Sequence, residues 1–132
     1  MPRRGVIQMR DFALFVGWGG TYPGREAFAL QHEAEWQEIL TRAKAEGEIE
    51  GFETVLLGPH GGGLDGFTLV YGTPEKLFAL QTRDDLVALR TRAMLDHAKV
   101  SVIPAIVGDG VAKQFAAFKE ALAEYEREPA LV

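Results

Sequence analysis

Four short runs of this chain, 12–18, 52–57, 67–71 and 100–107, are apolar at odd and even positions alike. A strand turns successive side chains to opposite faces of its sheet, so a sheet with one wet face needs apolar and polar residues in alternation. These runs do not alternate. Phe12, Leu14, Val16 and Trp18 oppose Ala13 and Phe15; Phe52 and Leu56 oppose Val55 and Leu57; Phe67, Leu69 and Tyr71 oppose Val70; Val100, Val102 and Ile106 oppose Ile103 and Val107. Any fold built from them has to cover both faces of its sheet.

Between the runs the period changes to that of a helix. After Tyr22-Pro23-Gly24, residues Ala29, Trp36, Ile39, Leu40 and Ala43 share one face while Glu35, Glu38, Arg42 and Glu46 look away, and Gly47 ends the segment. The nine residues from Gly58 to Gly66 suit a hairpin with a long loop. Thr73 and Pro74 are the N-cap and first residue of a second helix, which breaks near 82–85 and resumes with Leu86, Leu89, Ala93 and Met94. Pro104 cannot donate to a ladder, so the last strand belongs at a sheet edge. A final helix opens at Asp109, carries Val111, Phe115, Phe118, Leu122 and Tyr125 at steps of four and three, and stops at Glu128-Pro129. Such a narrow stripe suits docking on another surface.

The order is strand, helix, strand, strand, helix, strand, helix. That is an α+β chain: a ferredoxin-like split βαββαβ unit with an antiparallel four-stranded sheet and an added C-terminal helix. Residues 1–9 read as a flexible segment and 10–128 as one domain. Its helices cover one sheet face. If roughly five large side chains on the other were left wet, at about 1.5 to 3 kcal/mol each, on the order of 10 kcal/mol of burial would be forfeited. That rivals the roughly 5 to 15 kcal/mol that holds a typical domain together. An isologous two-fold homodimer is the commonest way to cover such a face.

Composition narrows the function classes. A net charge of −5 lacks the positive field that phosphate backbones and anionic membranes require, so neither nucleic acid nor a membrane is expected as a partner. The absence of cysteine excludes disulfides, thiolate metal sites and cysteine nucleophiles. The apolar interruption among Arg3, Arg4 and Arg10 is too short for a secretory signal, charges break every apolar run before bilayer length, and a cytoplasmic setting is expected.

The helix after Pro23, the hairpin, the broken second helix and the 100–107 strand together resemble the dimeric α/β barrel superfamily. The resemblance spans about residues 10–108. Val16-Gly17-Trp18-Gly19, Leu57-Gly58-Pro59-His60-Gly61-Gly62 and Val102-Ile103-Pro104-Ala105-Ile106-Val107-Gly108 are similar to segments of a bacterial group of small proteins in it. The resemblance implies two ferredoxin-like sheets closing a barrel between two subunits. The superfamily holds several reaction types, and fold alone does not choose among them.

Candidate chemistry is sparse. Gly61 to Gly66 matches G-x-G-x-x-G, but a strand follows it rather than the helix that presents N–H groups to a pyrophosphate. His60-Gly61-Gly62-Gly63 is similar to a lipase oxyanion loop, yet Ser101, the one serine, lacks a nucleophile elbow. His60 stands in a glycine-rich loop where packing gives little reason for an imidazole, and with Asp65 as its nearest carboxylate it is the candidate catalytic residue. Gly17 to Thr21 lies between strand and helix, a place where a tight turn or an anion cradle forms. Trp18, Tyr22, His32 and Tyr71 are candidate ligand-binding residues. His97 is expected to cap a helix C-terminus, and Glu33, Glu35 and Glu38 to face solvent. Three histidines without H-x-x-x-H spacing argue against a metal site. Two readings follow: a dimer that binds or transforms a small apolar or amphipathic molecule without a tightly bound cofactor, or a non-enzymatic interaction protein whose apolar face serves dimerisation alone.

Overall fold

The computed structural model describes residues 10–127. The segment 1–9 and the expected stop at Glu128-Pro129 lie outside the described residues. The elements are β1 (Phe12–Thr21), α1 (Glu26–Ala45), β2 (Gly51–Leu56), β3 (Gly66–Tyr71), α2 (Pro74–Gln81), α3 (Asp84–Asp96), β4 (His97–Ile106) and α4 (Asp109–Arg127). The strands form one open sheet in the order β2-β3-β1-β4 with every neighbour antiparallel. This α+β arrangement is consistent with the ferredoxin-like order expected from the sequence.

Local signals account for most boundaries. Thr73 Oγ1 accepts from the backbone N–H of Lys76 at 3.2 Å, and Pro74 occupies the first helical position where its missing N–H costs nothing. Glu26 in the first turn of α1 and Arg42 and Lys44 in its last turn complement the helix dipole. Pro104 lies on β4, at the edge of the sheet, where it pairs across to Leu14 of β1.

One local expectation is corrected. The run Gly17 to Thr21 is no turn: it is the second half of β1, paired with β4 as far as Thr21 opposite His97. The glycine at 19 serves close approach instead. A Cβ there would sit 1.7 Å from the carbonyl oxygen of Gly63, so the hairpin loop can lie against β1 only where no side chain stands in its way.

Helices α1, α2 and α3 cover one sheet face. The core beneath them joins Leu14 and Val70 of the sheet to Trp36, Ile39, Leu40 and Ala43 of α1, Leu77 and Leu80 of α2, and Leu86 and Leu89 of α3. The other face carries no helix from this chain's core layer. On it Phe15 stacks on Phe67 with ring centroids 5.1 Å apart, Phe15 pairs across to Leu69 and Ile103, and Ile103 is 51% exposed.

Helix α4 leaves the body of the fold. Gly110 is buried at its start and Lys113 Nζ reaches Asp11 Oδ2 at 2.7 Å, but Phe115, Phe118, Leu122 and Tyr125 are all exposed. Among the described residues no helix is long and apolar enough to cross a membrane.

Candidate functional site

A cavity of about 80 Å³ lies between the β1–β4 half of the sheet and helices α1 and α3. Its floor is Leu14, Val16, Val100 and Val102, and Leu86, Leu89 and Ala93 of α3 line it from the other side. An apolar hollow of this kind is a place for a small apolar body. Five polar side chains reach the same space: His32, Glu33, Gln81, Arg90 and His97.

His32 is held from behind. The side chain of Asp96, at the end of α3, is wholly buried; its Oδ2 accepts from Nδ1 of His32, and its Oδ1 accepts from Arg25 Nη2 at 3.0 Å and Nε at 3.2 Å. A carboxylate away from water needs such partners. Its backbone carbonyl also accepts from Tyr22 N at 2.8 Å, tying the β1–α1 connection to the end of α3. With Nδ1 donating to Asp96, a neutral imidazole presents its lone pair at Nε2.

Glu33, one residue on, departs from its expected place on a solvated surface. It is half-buried and lines the cavity, and burial pushes its carboxyl group above the usual carboxylate range against the opposing effect of a hydrogen bond from Gln37. That bond runs from Gln37 Nε2 to Glu33 Oε2 at 2.7 Å; Gln37 Nε2 also donates to Thr54 Oγ1 at 2.8 Å. A polar thread therefore runs from the cavity wall into the core.

His97 is the C-cap residue of α3, as expected, its backbone N–H donating to the carbonyl of Ala93, and its side chain has a further place. Its ring stands at the start of β4, with Nδ1 3.1 Å from Thr21 Oγ1, and lines the cavity. Burial is the main cause that lowers its pKa, and the neighbouring His32 adds to it, against the raising effect of the Asp96 and Asp65 carboxylates.

Of the residues expected at a site, Trp18 and His32 line this cavity; Tyr22, His60, Asp65 and Tyr71 do not. Tyr22 is exposed beside α1. Tyr71 is on the helix-free face with the Arg10 guanidinium 4.5 Å above its ring. His60 is exposed in the hairpin loop, where Nδ1 accepts from Gly62 N at 3.1 Å and Nε2 donates to Leu64 O at 2.7 Å, so the imidazole braces its own loop. Asp65 does not pair with it; Oδ2 accepts from Gly20 N at 3.1 Å and holds the loop to β1.

Sequence reasoning did not find Asp96, Arg25, Glu33 or Arg90. The one signal available was Asp96-His97 at the seam of an apolar-striped helix and a strand, and that pair reads equally as a helix end. Among the described residues no cluster of three or more His, Cys, Asp or Glu could hold a metal ion. No protein-family model matches the chain, and no curated protein matches it either.

Proposed function

We propose that the chain is a cytoplasmic homodimer of the dimeric α/β barrel kind, and that each subunit binds a small apolar or amphipathic molecule, without a tightly bound cofactor, between its sheet and helices. The observation that carries this reading is the apolar cavity with His32, Glu33, Arg90 and His97 reaching it. A concave apolar site edged by a few ionisable groups suits a ligand with an apolar body and one polar end.

Support for the dimer comes from the helix-free face. Phe15, Phe67, Leu69 and Ile103 neighbour one another across the strands there. A second copy of the face would remove them from water, and the exposed stripe of α4 adds to the surface such a partner would cover. The same stripe favours the second reading, an interaction protein in which these apolar surfaces serve association alone.

Native mass spectrometry of the purified protein tests both parts. The expected spectrum is a dimer carrying a small organic adduct that organic solvent strips away. A bare dimer that also binds no small apolar probe would favour the interaction reading. Phe15→Asp places a charge on the proposed interface and is expected to give a folded monomer by sedimentation; a variant that stays dimeric would move the interface elsewhere.

A further inference from the structure

The His32 imidazole has what an acid–base catalyst needs. It lines an apolar cavity. Its Nδ1 edge is fixed by a wholly buried carboxylate that is itself held by Arg25. Its Nε2 makes no hydrogen bond among the described residues, which leaves that nitrogen for the cavity.

The rest of the lining limits the chemistry. None of the residues around the cavity offers a thiol, a hydroxyl or an amine. What they offer is an imidazole backed by a carboxylate, a second imidazole at His97, the amide of Gln81, a half-buried carboxyl group next to His32 in sequence, and the guanidinium of Arg90, which has no ion pair among the described residues. Imidazole and carboxyl groups move protons. A guanidinium fork binds a carboxylate. An apolar wall takes a short hydrocarbon tail. A small 2-oxo acid has matching parts: a carboxylate, a tail, and a C–H bond made acidic by the adjacent carbonyl.

Resting on the reading that the cavity binds a small amphipathic molecule, we propose that His32 and Glu33 interconvert the keto and enol forms of a small 2-oxo acid whose carboxylate is held by Arg90. Nε2 of His32 takes a proton from C3. The C3–H electron pair becomes the C2=C3 double bond, and the π pair of the C2 carbonyl moves to its oxygen. That oxygen takes the proton of the Glu33 carboxyl group. The products are the enol, an imidazolium and a carboxylate, and a proton passed from His32 to Glu33 through water restores the starting state. No oxidant, reductant or leaving group is required. Burial of Glu33 favours its protonated form, which the donor role uses. Asp96 is a positioning residue: it sets which ring nitrogen of His32 faces the cavity.

The test is exchange of the C3 protons of 2-oxobutyrate and of phenylpyruvate in deuterium oxide, followed by proton NMR with the full-length protein. Wild type is expected to exchange them above the rate in buffer with free imidazole. His32→Gln is expected to lose about 10²-fold or more of that rate while still binding the probe, measured by tryptophan fluorescence. Asp96→Asn is expected to lower kcat with KM little changed, a split that general loosening of the fold would not give. Exchange that persists in folded His32→Gln would overturn the inference. So would probe binding without exchange, and that outcome would leave the cavity's binding role standing. Failure of both oxo acids to bind would overturn the inference as well, while the adduct seen or not seen by native mass spectrometry decides the broader reading independently.

Discussion

The indole N–H of Trp36 donates to the hydroxyl of Thr68 at 3.2 Å, in the packed layer between α1 and β3. Thr68 is wholly buried, and its hydroxyl lies 2.8 Å from that of Thr54, which in turn accepts from Gln37. The thread that ends at Glu33 thus begins in the core. Thr68→Val keeps the shape and removes the acceptor, leaving a buried indole N–H unpaired. The expected loss is about 1–3 kcal/mol, read from the midpoint of urea unfolding, with Thr68→Ser recovering most of it. A neutral valine substitution would mean that the thread contributes nothing to stability.

Glu33 gives a pH dependence with a definite sign. Its carboxyl group has a raised pKa because burial disfavours the charged form. The stability tied to the protonated form is complete below the ordinary value of 4.5 and is lost as pH rises through the raised one. Glu33→Gln cannot ionise, and its side-chain oxygen can still accept from Gln37. The variant is expected to melt at the wild-type temperature in mild acid and above it near neutral pH. Melting curves across that range check this, and a variant less stable than wild type at neutral pH would contradict it.

His97 has the opposite slope. Burial lowers its pKa below the ordinary 6.5, so its contribution is present above that value and is lost as pH falls towards the lowered one. His97→Gln is expected to flatten this part of the stability profile. The ring's own titration, followed by NMR, is expected to have its midpoint below 6.5; a midpoint above it would show that Asp96 and Asp65 outweigh burial.

His60 braces an exposed loop through two hydrogen bonds confined to that loop. His60→Ala is therefore expected to change stability by no more than about 1 kcal/mol, as surface substitutions usually do. Thermal unfolding measures it. A larger loss would mean that the 58–65 segment contributes to the core through its contact with β1.

The readable parts of this protein were those whose causes lie close together along the chain. The cap made by Thr73 and Pro74 needs residues within one turn, and the stripe Trp36, Ile39, Leu40 and Ala43 needs only helical period. Pro104 at the edge strand follows from one missing donor. The four apolar runs and their order were enough for the α+β class and for the antiparallel sheet.

What tertiary structure alone decided was which distant residues meet. Arg25 and His32 converge on Asp96 across 71 and 64 residues, and no local pattern marks that convergence. Gly19 looked like part of a turn because a glycine's reason is invisible without its neighbour; here the reason is the carbonyl of Gly63 on another strand's loop. Glu33 carries the same letter as the exposed glutamates of α1, and only its half-buried place beside the cavity sets it apart. Secondary structure is set by backbone geometry and side-chain period, which act over a few residues. A buried ion pair, a close approach and a cavity are set by packing, which acts through space and is decided only when the chain has closed on itself.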